Sequence, residues 1–139
     1  MEAKVIQIEG VTFIGKAGSN HWVPMDGPEQ FKGSNAATRP KELILIGLAG
    51  CSGSDVASIL SKMRVNLNRF EIDVEAESST EHPKVFTHIH LTYKFWGEEL
   101  KTNNIEKAIN LSQDKYCSVS AMLKSSVKIT HSYKLNPEI

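Results

Sequence analysis

Cysteine is scarce in this sequence. Two occur in 139 residues, Cys51 and Cys117. That is too few for a disulfide framework or a structural zinc site. Their separation of 66 positions also excludes a Cys-x-x-Cys redox motif. Neither sign of charge is in surplus: 16 Lys and Arg face 16 Asp and Glu. The charges are dispersed, so nothing electrostatic argues for a nucleic acid or an anionic membrane as partner. No run approaches the 18 or so apolar residues that a bilayer crossing needs; residues 43–49 form a short run beside glycines. The opening MEAKVIQIEGVTF lacks the basic stretch and apolar core of a signal peptide. Repeats and low-complexity tracts are absent too. These absences predict a cytoplasmic protein with no membrane partner, in a compartment that keeps thiols reduced and favours reactive use of them.

What is present suits one domain over residues 1–139, large enough to bury about two thirds of its unfolded surface without a staple. Val5 and Ile8, then Val11, Phe13 and Ile14, then Trp22, Val23 and Met25 predict three short strands. A long turn-rich loop follows, and loops of that length are often functional. Pro40 suits the first turn of a helix, and residues 41–64 predict one long helix. Leu45, Leu48, Val56, Ile59, Leu60 and Met63 share one broad face of it, while Gly47, Gly50, Cys51, Ser54 and Ser58 share the opposite one. Its first half is apolar almost all round, as in a helix buried in a core. Gly47, Gly50 and Gly53 each cost about 1 kcal/mol relative to alanine. Close approach of a second helix or a ligand on the small-residue side would offset that.

Residues 70–76 and 85–96 alternate as half-buried strands. The second points Ile89, Leu91, Tyr93 and Phe95 inward and His88, His90, Thr92 and Lys94 outward. Asn103 and Asn104 are placed to cap a helix burying Ile105, Ala108 and Ile109. A short helical piece after Cys117 and a strand through Val127, Ile129, Tyr133 and Leu135 complete the chain. Strands and helices in blocks predict an α+β fold with antiparallel sheet.

Cys117 stands at a helix start, where unpaired N–H groups and the helix dipole favour thiolate. Cys51 lies in mid-helix and receives no such help from its own helix. Two free cysteines are often small apolar filler, and composition alone does not separate filler from reactive thiols. Asp55, four residues after Cys51, reads as a buried hydrogen-bonding group or a pair for another chain, and a carboxylate so near raises a thiol pKa.

The segments PKELILIGLAGCSGSDVASIL and KYCSVSAMLKSSVKI resemble the OsmC/Ohr family, the osmotically induced and organic hydroperoxide resistance proteins, and within it the OsmC-like branch. The likeness covers about residues 35–135. It implies antiparallel sheets wrapped around long central helices in an intertwined homodimer. It implies a thiol-dependent peroxidase without metal, haem or flavin: Cys51 attacks an organic hydroperoxide, Cys117 resolves the sulfenic acid as a disulfide, and an external dithiol restores the pair. The small-residue stripe would suit close packing at the dimer centre.

Family members that carry this chemistry have an arginine in the loop before the long helix and a glutamate ten residues before the first cysteine. Here that position is Lys41, with Glu42 next to it; Arg39 and Lys32 are the cations available, and Ser118 replaces a common proline. Arg39 and Glu42 are therefore the site candidates beside the thiols. Glu42 and Cys51, nine residues apart, would be about 13 Å apart on an unbroken helix. Glu42 therefore either precedes the helix or serves a partner's site.

Other constellations have plainer readings. His88 and His90 share a strand face but no third ligand is evident, and period-two alternation alone predicts a solvated face. His21, His82 and His131 have no partner at metal-ligand spacing. A cysteine hydrolase would need an oxyanion-hole motif that is not seen. Trp22 and Trp96 read as core or dimer-interface anchors. The altered arginine and glutamate positions leave a rival from another class: a non-catalytic protein binding an apolar or electrophilic small molecule in the dimer cleft.

Overall fold

The computed structural model describes residues 1–139. Two compact units compose it, Met1–Leu45 and Ile46–Ile139.

In the first unit, β1 (Ala3–Glu9), β2 (Thr12–Ala17) and β3 (Val23–Met25) form an antiparallel sheet in that order. The three strands are those the alternation predicts. Gly10, at φ +54°, makes the tight β1–β2 turn. The long loop after β3 is organised by Asp26, which is only 1% exposed. Its carboxylate accepts the N–H groups of Gly27, Ser34 and Ala36 at 2.7–3.0 Å and the Thr12 hydroxyl at 3.1 Å. These donors, Ala36 foremost, hold the carboxyl below its ordinary value against the opposing effect of burial.

Helix α1 spans Pro40–Lys62, with Pro40 in the first turn as expected. Its buried residues are Leu48, Ser52, Val56 and Leu60, one row at intervals of four. Within the single chain the first half of α1 is not fully buried. Ile44 and Ile46 are 43% and 58% exposed. A β-carbon added at Gly47 or Gly50 would meet nothing within 4 Å. Gly53 is different: its added β-carbon would lie 3.1 Å from Ile72 Cδ1, so glycine lets the helix approach the sheet. By length and a mean hydropathy of 1.8 over 18 residues, α1 is long and apolar enough to cross a membrane, which the short apolar runs had not indicated. Only 22% of that window is buried within the chain.

The second unit contains β4 (Arg69–Ser78), β5 (Phe86–Trp96) and β6 (Lys128–Leu135), with β5 central. Ile89, Leu91, Tyr93 and Phe95 are fully buried, as their alternation predicts. Phe70 and Phe95 stack at 4.7 Å between centroids. β4 and β5 are antiparallel, but β5 and β6 are parallel. The parallel pair departs from the expected all-antiparallel sheet. The β5–β6 connection carries two helices, long enough to return the chain to the same end of the sheet.

The first of these, α2 (Thr102–Leu111), buries Ile105, Ala108 and Ile109 as expected. Its N-cap is Lys101 without a side-chain cap, and Asn103 and Asn104 lie inside the first turn. A π-helical turn at Ser112–Tyr116 continues α2, and α3 (Ser118–Leu123) follows. The histidines of β5 are half-buried rather than solvated. His88 Nε2 and His90 Nδ1 each lie 2.7 Å from Thr130 Oγ1 on β6, and His90 Nε2 lies 2.8 Å from Ser132 Oγ. Trp22 is 46% exposed, beneath Lys16, and is not part of a core within this chain. Trp96 is half-buried and donates its indole N–H to Pro137 O at 2.8 Å.

Candidate active site

The corner between the π turn and α3 carries one thiol, and mid-α1 carries the other. The π turn ends at Tyr116, and Cys117 takes an extended conformation that opens α3. Cys117 N–H donates to Ser112 O at 2.8 Å, which anchors this corner. Cys117 is 2% exposed, while Cys51 is half-buried and open on one side. Their sulfurs and one carboxylate oxygen of Asp55 all lie within 4.8 Å of one another. Both cysteines are free thiols, and Ser118 Oγ is 3.9 Å from Cys51 Sγ.

The electrostatic roles are the reverse of those expected from position along the chain. Cys117 does start a helix, and its sulfur accepts the Ser120 N–H at 3.4 Å. Burial nevertheless dominates and pushes its pKa up to about 11. The thiol of Cys51 is held below its ordinary value. The main cause is the backbone N–H of Val119, opposed by partial burial and by Asp55, and aided by Cys117 and Ser118. Of the N–H groups that open α3, that of Val119 therefore serves the thiol of α1 and that of Ser120 serves Cys117. A sequence shows which residue begins a helix, not which neighbour its N–H groups meet.

A buried polar network backs the site. Ser52 Oγ lies 2.6 Å from Tyr93 OH and 2.9 Å from Ser112 Oγ. Gln113 donates to Ser52 Oγ at 3.1 Å and to Tyr93 OH at 2.8 Å, and accepts from Ser120 Oγ at 2.9 Å. Ser112 Oγ donates to Asp55 at 3.2 Å. Lys124 Nζ donates to the Gln113 carbonyl. The network joins α1, β5, the π turn and α3, and every buried side-chain nitrogen or oxygen has a partner. Sequence reasoning had offered Asp55 as a buried hydrogen-bonding group or a pair for another chain; it accepts a hydrogen bond from Ser112 but is half-buried. The sequence held no signal for Ser52, Ser112, Gln113 or Ser120, because polar residues in helices usually face solvent.

Arg39 and Glu42 belong to the first unit, and their hydrogen bonds are local. Glu42 accepts the Arg39 backbone N–H at 2.9 Å, the return half of a capping box. The Arg39 guanidinium donates to Ala37 O at 2.9 Å and to Asn35 Oδ1. Glu42 lies inside α1, not before it.

Residues 33–132 match the family model described as OsmC-like protein. The chain belongs to the OsmC-like family. The curated relative Protein YhfA of Escherichia coli is 41% identical over 135 residues, covering 97% of this chain and 98% of its own. Among solved structures, a hypothetical protein of Aquifex aeolicus is 32% identical with a TM-score of 0.80, covering 98% of this chain and 97% of its own. An organic hydroperoxide resistance protein OsmC of Legionella pneumophila, described as a predicted redox protein, shares the fold. Its TM-score is 0.72 at 18% identity, covering 96% of this chain and 95% of its own. This OsmC-like chain thus has the α+β fold of a family that includes proteins named for organic hydroperoxide resistance.

Proposed function

We propose that this chain is a thiol-dependent peroxidase that reduces organic hydroperoxides. One observation carries the reading: two sulfurs 66 residues apart in sequence come within 4.8 Å, one of them with its thiol pKa lowered by a backbone N–H. The Cys51 thiolate attacks the distal peroxide oxygen. The O–O bond breaks, the alkoxide leaves as alcohol after taking a proton, and Cys51 becomes a sulfenic acid. The Cys117 thiol then attacks that sulfur. A disulfide forms, and its proton leaves with the hydroxyl as water. An external dithiol reduces the disulfide by exchange and is itself oxidised. A disulfide needs sulfurs about 2.05 Å apart, so the pair has under 3 Å to close. Burial keeps Cys117 protonated, which reserves the peroxide for Cys51. No metal, haem or flavin enters these steps.

The reading extends to a cytoplasmic homodimer of single OsmC-like domains. Two free thiols suit a reducing compartment. The exposed apolar residues of α1 and its open glycines give a second copy a surface to cover. Because Glu42 lies within α1, it and Arg39 are assigned to the partner's site. Mixed dimers of Cys51→Ser and Glu42→Gln chains, each inactive alone, would recover about half the wild-type sites.

The test is consumption of cumene hydroperoxide with a dithiol. Wild type is active and Cys51→Ser is not; full activity in Cys51→Ser overturns the proposal. The rival reading, a binder of an apolar or electrophilic molecule, draws on a cavity of about 340 Å³ beside Asp55, lined by Ile59, Met63, Leu111 and Tyr116 among others. A binder would show slow, ordinary thiols and no peroxide-driven disulfide.

A further inference from the structure

We propose that Cys51, Asp55 and Cys117 together form a binding site for a thiophilic divalent cation of the zinc type. Two cysteines exclude a four-thiolate structural centre, but not an open three-ligand one. Cys51 and Asp55 are four residues apart on α1, the spacing that presents two side chains side by side on one helix face. Cys117 supplies a third donor from a separate element, where its own hydrogen bonds fix it.

The donor atoms lie within 4.8 Å of one another. Tetrahedral zinc, with bonds of about 2.3 Å to sulfur and about 2.0–2.2 Å to oxygen, sets donors roughly 3.5–3.8 Å apart. The required adjustment is about an ångström, within reach of side-chain rotation.

The surroundings fit as well as the distances. The Ser112 hydroxyl donates to the Asp55 carboxylate at 3.2 Å, as outer groups orient a ligating carboxylate. Backbone N–H groups of Val119 and Ser120 already point at the two sulfurs. They would take up thiolate charge that the metal leaves unbalanced. Cys51 is half-buried, so a cation has a way in. Two thiolates with one carboxylate select a borderline-soft ion over calcium or magnesium, which prefer oxygen alone. The fourth position is left to water or an added ligand, as in three-ligand zinc sites. While bound, the ion occupies both sulfurs, so the site withdraws the thiols from reaction with any electrophile.

The site rests on donor geometry and not on the peroxidase reading, and its test uses no peroxide. The full chain is reduced, stripped of metal with a chelator, and titrated with cobalt(II) alone. The expected result is a thiolate-to-cobalt charge-transfer band saturating at one ion per chain, bleached when zinc(II) is added. Zinc(II) should also slow alkylation of Cys51 by iodoacetamide, because a metal-bound thiolate is no longer a free nucleophile. Cys117→Ser should remove most of the band, and the isosteric Asp55→Asn should weaken binding by at least about tenfold, the least that losing even an outer-shell partner costs. Absence of the band in the folded wild-type chain overturns the proposal. So does an undiminished band in Cys117→Ser, or unchanged affinity in Asp55→Asn.

Discussion

On the proposed peroxidase reading Cys51 is the reacting group, and its neighbours decide how readily it ionises. Asp55 raises the Cys51 pKa through its charge, while Val119 N–H lowers it more strongly. Asp55→Asn removes the opposing charge, so the pH profile of Cys51 alkylation in metal-free protein should move toward acid. A profile unmoved or moved toward alkali would show that the carboxylate does not act on this thiol. Because thiolate is the reacting form, wild-type alkylation should rise with pH through a midpoint below an ordinary thiol's, then level off. Cys117, at about 11, should stay unreactive across neutral pH. The sequence made both thiols visible, since each stands in its own recognisable motif. It assigned the helix-start advantage to Cys117, because the receiver of an N–H is set by packing between α1 and α3. Asp26 was silent for a similar reason: an aspartate in a turn-rich loop looks solvated until the loop closes over it. Its pKa is lowered on folding, so its contribution to stability is full above the ordinary carboxyl value and is lost as pH falls through the lowered one. Asp26→Asn should therefore loosen residues 27–36, read as faster amide exchange there at neutral pH than in wild type.

Helix α1 shows how far periodicity reaches and where it stops. Its existence, its start near Pro40 and the burial of Leu48, Val56 and Leu60 are legible in the apolar spacing. The buried Ser52 is not, because its polar partners, Tyr93, Ser112 and Gln113, come from distant parts of the chain. The π turn at Ser112–Tyr116 is equally hidden. The α2 pattern predicts a helix, and the extra residue in the turn answers to the side chains of Ser112 and Gln113 reaching Ser52, Asp55 and Tyr93. Ser52→Ala would leave partners of this network unsatisfied in the interior. It should destabilise the fold by about 1–3 kcal/mol, measurable as a lower urea midpoint with unchanged slope. An unchanged midpoint would mean that the network reorganises without Ser52. Leu60→Ala, a cavity in the same row, should cost about 2–5 kcal/mol.

For the molecule as a whole, the open question is what covers α1. A 23-residue helix with only 22% of its apolar window buried is unusual for a chain alone in water. On the dimer reading, sedimentation should give twice the chain mass, and Ile46→Glu should shift the population toward monomer. The order of strands and helices in blocks made the overall α+β architecture readable, and the parallel β5–β6 pair was the feature it did not supply. Peroxide reduction as proposed depends on neither surface nor sheet but on the meeting of two sulfurs. Its most direct measurement is mass spectrometry of the reduced, metal-free chain after one equivalent of an organic hydroperoxide. The account predicts loss of two hydrogens per chain and a single intrachain link between Cys51 and Cys117. Cys51 carried on to sulfinic acid while Cys117 remains a free thiol would contradict it.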